Sequence, residues 1–287
     1  MDEIVYLNGV MLPRSQASIS VMDYGFLYGY ALFETMRAYG GRVFGLDRHL
    51  ARLARSAELL SIKIGGLDLK SAVMDTLRAN RLSEARIRIT VSIGEGGMAP
   101  DPASCKSPTV LVVAGAYQPY PEPVYEKGLG AIVSSVRRNQ RSLLSALKSA
   151  NYLESILARE QARAAGAGEA ICLNEAGLLA EASMSNAFLV TRGTLRTPGT
   201  QSGILPGITR EIVLELAGRM GIKAVEQDIR LEELLQAEEA FLTSSLIEVM
   251  PLSELDGKMI GSGRPGTITR KLRQAYRELV ASGTELT

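Results

Sequence analysis

The sequence predicts a mixed α and β protein built as two domains. Three observations carry this. The chain has 287 residues, 46% of them apolar, which suits two medium domains or one large one with an ample core. Stretches with a period of two, read as strands, are interspersed with stretches whose apolar residues recur at helical spacing. Near the middle, Gln118-Pro-Tyr-Pro-Glu-Pro123 alternates prolines, which stiffen the backbone and exclude regular structure. We therefore expect a small domain over 1–117, a linker over 118–123 and a larger domain over 124–287.

The first half reads in order as follows. Glu3 to Asn8 alternates like a strand, and Asn8-Gly9 signals a hairpin into Val10-Met11-Leu12. A loop rich in Ser, Tyr and Gly follows and includes Asp23 to Tyr30, with Tyr28 near its end. Ala31 to Tyr39 reads as a strand turning at Gly40-Gly41. Its period of two puts Phe33, Thr35 and Arg37 on one face and Leu32, Glu34 and Met36 on the other. Asp47 to Leu60 is predicted as a helix with Asp47 as its N-cap and a stripe of Leu46, Leu50, Leu53, Ala57 and Leu60. His49, Arg52 and Ser56 form a second stripe, either a solvated face or a guanidinium placed over an anion. A helix is predicted between Asp68 and Asn80. Ala85 to Ile93 then alternates as a strand, with Arg86, Arg88, Thr90 and Ser92 on one face. That face is either solvent-facing or suited to a carboxylate. Gly94-Glu-Gly-Gly97 makes a loop before the strand at Thr109 to Ala114.

Beyond the linker, Gly130 to Val136 reads as a strand. A helix is expected from about Asn151 to Ala165, stopping at Gly166. Glu169 to Asn174, Leu178 to Ala182 and Ala187 to Arg192 are predicted strands. Glu181 falls at an apolar strand end, where its charge needs a partner. Leu205-Pro-Gly-Ile-Thr-Arg210 opens a helix whose first amides and Thr209 hydroxyl suit an anion, although an ordinary helix start has the same pattern. Glu239 to Leu242 is a short strand ending in Thr243-Ser244-Ser245, and Thr267 to Ala281 a terminal helix.

Composition narrows the function. The formal net charge is +1, which favours neither nucleic acid nor a membrane surface. No apolar run is long enough to span a bilayer, and the N-terminus lacks the pattern of a signal peptide, so a cytoplasmic protein is expected. Cys105 and Cys172 lie far apart without metal-ligand spacing. His49 is the only histidine, which argues against zinc and against a Ser-His-Asp triad. Chemistry in this chain has to rest on lysine, carboxylates or a cofactor.

Lys148 is the residue that stands out. It lies in Ser145-Ala-Leu-Lys-Ser-Ala-Asn-Tyr152, and no other charge occurs from Ser142 to Tyr152. A lysine partly stripped of water has its charged form disfavoured, so its amine is more easily neutral and nucleophilic. Such an amine suits carbonyl chemistry. A solvated lysine in the first turn of a helix has the same local pattern. Together with a carboxylate in an apolar setting, an arginine on a helix face and a threonine at a helix start, it supplies what pyridoxal 5'-phosphate needs: an amine, a partner for the ring nitrogen and donors for the phosphate.

The chain resembles the fold-type IV pyridoxal-phosphate enzymes, a group containing branched-chain aminotransferases, D-amino acid aminotransferases and aminodeoxychorismate lyases. The resemblance covers essentially the whole chain. It rests on Gly25-Phe-Leu-Tyr-Gly29, Phe33-Glu-Thr-Met-Arg37, His49-Leu-Ala-Arg52, Leu147-Lys-Ser-Ala-Asn-Tyr152, Glu181-Ala-Ser-Met-Ser-Asn186 and Leu205-Pro-Gly-Ile-Thr-Arg210, in that order. It implies a small α/β domain and a larger domain with a β-barrel-like core, assembled at least as a homodimer. It implies Lys148 as the Schiff-base lysine and proton shuttle, and Glu181 as the partner of the pyridine nitrogen. Arg52, Ile208, Thr209, Ser244 and Ser245 would hold the phosphate, and Tyr152 the phenolic oxygen. Tyr28, Phe33, Thr35, Arg37, Arg86 and Arg88 would line the substrate side, with no metal.

The implied reaction is transfer of an amino group between an amino acid and a 2-oxo acid, and three arginines suit a dicarboxylate as one partner. Arg86-Ile-Arg88 departs from the Tyr-x-Arg usual in bacterial branched-chain enzymes. The loop after that strand lacks the arginine and histidine of D-amino acid aminotransferases. A threonine at position 35 also occurs in some aminodeoxychorismate lyases, so pyruvate elimination giving 4-aminobenzoate is the alternative. A cofactor-free scaffold with a degenerate site is the alternative from another class.

Overall fold

The computed structural model describes residues 2–283 and divides into two compact units. The first comprises Met1–Gln118 and Leu147–Asn151, the second Pro119–Ala146 and Tyr152–Thr287. Lys148 therefore clusters with the first unit, although second-unit sequence flanks it on both sides.

The first unit contains β1 (Ile4–Leu7), β2 (Val10–Pro13), α1 (Tyr24–Tyr28), β3 (Ala31–Tyr39), β4 (Arg42–Val43), α2 (Leu46–Leu59), α3 (Leu69–Ala79), β5 (Ala85–Ser92) and β6 (Thr109–Ala116). Its strands form one six-stranded sheet in the order β2-β1-β6-β5-β3-β4. Alternation decides which face is which. Ala85, Ile87, Ile89 and Val91 of β5 are fully buried against Leu32 and Met36 of β3 and the apolar stripes of α2 and α3. Asn80, just after α3, ties that helix to the sheet. Its Oδ1 accepts from the Ile4 amide at 2.8 Å, and its Nδ2 donates to the Ile4 carbonyl at 2.7 Å.

Two local expectations need correction here. Residues expected in a loop form α1, because the Asp23 carboxylate accepts from the Gly25 amide at 2.7 Å and caps a single helical stretch. Gly29 ends it at φ 66°, a conformation that favours glycine. The N-cap of α2 is Gly45 rather than Asp47; Asp47 lies in the first turn and pairs with Lys70 at 2.7 Å.

The second unit contains α4 (Glu122–Lys127), β7 (Leu129–Arg138), α5 (Leu153–Ala164), β8 (Glu169–Asn174), β9 (Leu179–Ala182), β10 (Asn186–Thr191), β11 (Thr194–Thr197), α6 (Ile208–Arg219), β12 (Ala224–Glu226), α7 (Leu231–Leu235), β13 (Glu239–Ser244), β14 (Glu248–Leu255), β15 (Lys258–Met259) and α8 (Thr267–Ser282). Regular structure resumes at Glu122, inside the proline-rich stretch expected to exclude it. Proline has no amide to lose in a first helical turn, so Pro123 is tolerated there.

Eight strands run in the order β12-β11-β10-β13-β14-β7-β8-β9, with β15 beside β14. Only residues 183–185 separate β9 from β10, yet four strands stand between them in the sheet. At about 4.8 Å per strand a flat sheet leaves that gap too wide for the turn, so the sheet curls toward a half-barrel. β14 was not anticipated because it is buried on both faces and shows no alternation. It also carries Pro251, which ordinarily argues against a central strand.

Phe188 and Phe241 face each other across β10 and β13, both fully buried, with stacked rings 4.8 Å apart. Phe188→Ala is expected to destabilise the protein by about 3–5 kcal/mol in urea unfolding. A loss under about 1 kcal/mol would show that this pair is not central to the second core.

Candidate active site

In the first unit the site is built on β3 and β5. Their antiparallel register sets Phe33 opposite Thr90, Thr35 opposite Arg88 and Arg37 opposite Arg86. Cross-strand partners share a face, so all six line the side of the sheet away from α2 and α3. Lys148 reaches the same face by a different route. Residues 147–151 run as an extended segment against the start of β3: the Phe33 amide donates to the Lys148 carbonyl and the Ala150 amide to the Ala31 carbonyl, each at 2.8 Å. Lys148 is thus held in extended chain five residues before α5, not in the first turn of a helix. Its Nζ stands 4.5 Å from the centre of the Phe33 ring, and the Arg88 guanidinium is 3.6 Å from that centre. Arg88 Nε donates to Thr90 Oγ1 at 3.1 Å. Arg37 is nearly buried, over the rings of Tyr39 and Tyr117 at 4.2 and 5.0 Å. Tyr28 is exposed on α1, edge-on to Tyr24.

On the core side of β3 lies a buried ionic cluster. Glu34, 1% exposed, accepts from Arg52 Nε at 2.7 Å and Arg52 Nη2 at 2.6 Å, and meets His49 Nδ1 at 2.8 Å. The stripe of His49, Arg52 and Ser56 is therefore buried rather than solvated. Burial alone would raise the Glu34 carboxyl. The Arg52 charge and the bonds from His49 and Arg52 outweigh it and hold the group at about 2. Burial pushes His49 below its ordinary value against the pull of Glu34, with Arg52 and Lys148 adding to the downward shift, so the ring is neutral at pH 7. The signal for Glu34 was present in the sequence, since the period of two puts a carboxylate among Leu32 and Met36, where it must find a cation.

In the second unit the site gathers at the ends of β7, β9, β10 and β13. Glu181 is buried. Its Oε2 accepts from the Leu205 amide at 3.1 Å and Asn186 Nδ2 at 3.4 Å. Its Oε1 lies 3.3 Å from Arg138 Nε, an ion pair without hydrogen-bond alignment. Arg138 also donates to Ser155 Oγ at 2.9 Å. Burial opposes the charge of Arg138 most strongly, but Glu181 together with Cys172, Glu154 and Tyr152 outweighs it, and the pKa is raised. Tyr152, the N-cap of α5, is half-buried near Glu181; desolvation of the phenol and the Glu181 charge both raise its pKa. Burial takes the Cys172 thiol up to about 11, so it is no nucleophile at neutral pH. Sequence reasoning missed Arg138 because β7 runs two residues past its expected end.

The start of α6 completes this group. Its first intrahelical bond is from the Glu211 amide to the Gly207 carbonyl, so the amides of Ile208, Thr209 and Arg210 precede the ladder. Gly207 is packed so closely that a Cβ there would stand 2.0 Å from Asn186 Oδ1. Asn186 pairs across the sheet with Thr243, whose buried Oγ1 has no hydrogen-bond partner among the described residues. Ser244 and Ser245 follow it, half-buried. Uncommitted amides at a helix start beside an orphaned hydroxyl fit the oxygens of a phosphate. The Arg138 charge beside Glu181 and the donors to its Oε2 suit a group that is to accept from a protonated ring nitrogen.

The sequence model of the family Amino-transferase class IV matches residues 31–255. A putative branched-chain-amino-acid aminotransferase of Methanocaldococcus jannaschii is 41% identical over 96% of both chains. A D-alanine aminotransferase of Bacillus licheniformis is 31% identical over 99% of both. The crystal structure of the Escherichia coli branched-chain amino acid aminotransferase superposes with a TM-score of 0.93 at 33% identity, covering 99% of this chain and 97% of that one.

The Glu34 cluster has a pH signature. A carboxyl held at about 2 when folded, against an ordinary 4.5, contributes on the order of 3 kcal/mol that is present above pH 4.5 and lost as pH falls toward 2. Glu34→Gln leaves Arg52 buried without its counter-charge and is expected to cost about 3–5 kcal/mol at pH 7. The difference from wild type should shrink between pH 4.5 and 2 in unfolding measurements; parallel profiles would contradict the shift.

Proposed function

This chain belongs to the class IV aminotransferases, and from that premise we propose that it transfers an amino group between an aliphatic amino acid and a dicarboxylic partner of the glutamate and 2-oxoglutarate kind. The observation that carries this is the Phe33 ring shared by Lys148 and Arg88. It sets a nucleophilic amine beside an apolar surface and a carboxylate-binding guanidinium. Solved relatives have been described with norvaline, with 4-methylvaleric acid and with a phosphopyridoxyl-L-glutamate. The relatives compared are aminotransferases, which does not favour the lyase alternative.

Pyridoxal 5'-phosphate, when bound, supplies a carbonyl for the amine and an electron-withdrawing ring that stabilises charge at the substrate α-carbon. In the first unit, Lys148 Nζ would hold the cofactor through its carbonyl carbon and would serve as the base that takes and returns the α-proton. Arg88 pairs with a substrate carboxylate, and Phe33 and Thr35 line the approach. Arg52, anchored by Glu34, is assigned to the phosphate. In the second unit, Glu181 holds a proton at the ring nitrogen and Tyr152 donates to the phenolic oxygen. Ile208 and Thr209 offer amides to the phosphate, with Ser244 and Ser245 beside them.

We assign the small domain to residues 1–117 and the large one to 124–287, with Leu147–Asn151 packed into the small one. The protein works in the cytoplasm as a homodimer; the exposed apolar side chains Leu153, Ile156 and Leu157 of α5 are the surface we assign to a second copy. No helix among the described residues is long and apolar enough to cross a membrane.

Lys148→Ala should lower turnover by at least about 10²–10⁴-fold. Borohydride reduction of the wild type followed by peptide mapping should place the label on Lys148; label on another lysine ends the assignment. Isotope exchange between an amino acid and its own 2-oxo acid, without a second pair, should be detectable in the wild type and absent in the variant.

Cofactor retention on dialysis should fall further in Arg52→Ala than in Thr209→Ala. A charge-assisted bond contributes about 1.5–3 kcal/mol against about 0.5–1.5 for a neutral one. Equal retention by Arg52→Ala and wild type would remove Arg52 from the phosphate.

A further inference from the structure

We propose that Glu169, a buried carboxylate with no part in the chemistry above, is a positioning residue: through Ser183 and Ser185 it staples the turn between β9 and β10 and fixes Glu181 and Asn186 on either side of it. This rests on the proposal that Glu181 partners the ring nitrogen. Glu169 opens β8 and is 5% exposed. A carboxylate taken out of water is costly unless a cation or hydrogen-bond donors compensate. Its one ion pair among the described residues is with Arg159, 3.7 Å from Oε1. That side chain is 35% exposed and donates to the Gly168 carbonyl instead. The compensation therefore comes from hydroxyls and an amide.

The two oxygens are divided between two serines. Ser183 Oγ donates to Oε1, and Ser185 Oγ to Oε2 at 3.4 Å. Oε1 also accepts from the Ala170 amide at 2.9 Å. Both serines are buried, while Met184 between them is exposed. A hydroxyl has one proton, so each serine that donates to Glu169 has its direction fixed. The backbone closes on the same point. The Ser183 amide donates to the Ala170 carbonyl at 2.9 Å, and the Ala182 amide to the Ser185 carbonyl at 2.7 Å. A carboxylate, an acceptor at both oxygens, suits this pair of donors. Glutamine would keep one acceptor and replace the other with a donor. An apolar side chain would fill the space without burying a charge, but it would remove the acceptor of both hydroxyls.

What the staple holds is the surroundings of Glu181. Glu181 lies two residues before Ser183, and Asn186 follows Ser185 directly. Asn186 Nδ2 donates to Glu181 Oε2 across the turn at 3.4 Å. The Ser183 carbonyl accepts from Arg138 Nη2 at 3.4 Å, and Arg138 Nε stands 3.3 Å from Glu181 Oε1. The side chains that flank Glu181, Asn186 at one oxygen and Arg138 at the other, are thus both tied to the stapled turn. These contacts are near the upper limit of hydrogen-bond length, so a small displacement of the turn is enough to lose them. A carboxylate that meets the ring nitrogen depends on that turn holding still.

The test compares wild type with Glu169→Gln, Ser183→Ala and Ser185→Ala as full-length holoenzymes, with Glu181→Gln as the reference. Glu169→Gln is expected to lower kcat by about tenfold to a hundredfold while KM for the amino donor changes less than about threefold, because a displaced group acts on the reacting centre rather than on substrate binding. The visible absorption band of its bound cofactor should move in the same direction as in Glu181→Gln. In the full chain without cofactor, hydrogen exchange at the Ala182 and Ser183 amides should quicken about tenfold, while exchange at Phe241 in β13 stays as in wild type. Ser183→Ala and Ser185→Ala should show the same changes in smaller measure and add little when combined with Glu169→Gln. They carry the test if Glu169→Gln does not fold. A band and a kcat like those of wild type, or exchange that quickens equally at Phe241, leaves Glu169 a merely structural residue and overturns the proposal. Failure of Glu181→Gln itself to alter the band removes instead the role of Glu181 on which the proposal rests.

Discussion

The ladder between β3 and β5 is the constraint on which the first unit depends. Eight consecutive pairs, from Ala31 with Ser92 to Ala38 with Ala85, leave no freedom in how their side chains sort. A slip of one residue would send Ile87, Ile89 and Val91 to the polar face and the arginines into the core. With the register as it is, Glu34 enters the core beneath α2, and its buried carboxylate is matched by Arg52 and His49 from that helix. The same register lines Phe33, Thr35 and Arg37 up with Thr90, Arg88 and Arg86 on the other face. Core and chemistry are thus two consequences of one pairing. A buried ion pair adds little net stability over apolar residues of the same size, so its use here is the orientation it imposes on Arg52.

The second unit relies on a different device. Its sheet curls because β9 and β10 are joined by three residues across the width of four strands. The curl brings the ends of β7, β9, β10 and β13 around the start of α6. Gly207 allows that helix to begin against Asn186, where any side chain would collide. Glu181 then has donors to Oε2 from β10 and the chain before α6, and the charge of Arg138 from β7 beside Oε1. No single segment could have supplied them.

Much of this was legible in the sequence where a local rule decides the outcome. Period-two alternation found β3 and β5 and sorted their faces, a helical stripe found α2, and the Pro-Gly start found α6. Glu181 was recognised as a charge in need of a partner, and Arg138 is that partner. What escaped depends on contacts distant in sequence or on rules that context overrides. β14 is buried on both faces, so alternation had nothing to report. The capping carboxylate of Asp23 turned an expected loop into α1. The charge-free run around Lys148 was noticed, but not its path: those residues lie as an extra extended segment along β3, paired with residues far earlier in the chain.

The path of that segment has a consequence for synthesis. The chain emerges from the ribosome N-terminus first, and domains form as they emerge. By Gln118 every strand of the first sheet has been made, but the edge position beside Ala31 and Phe33 is still without its occupant. The chain must next produce residues 119–146, which belong elsewhere, before Leu147–Asn151 can return to it. Closing a loop of that length carries only a modest entropic cost, which grows slowly with each added residue. The segment that carries Lys148 is therefore the last part of the first unit to arrive, and a nascent chain stopped short of it carries a finished sheet without the amine we assign to the chemistry.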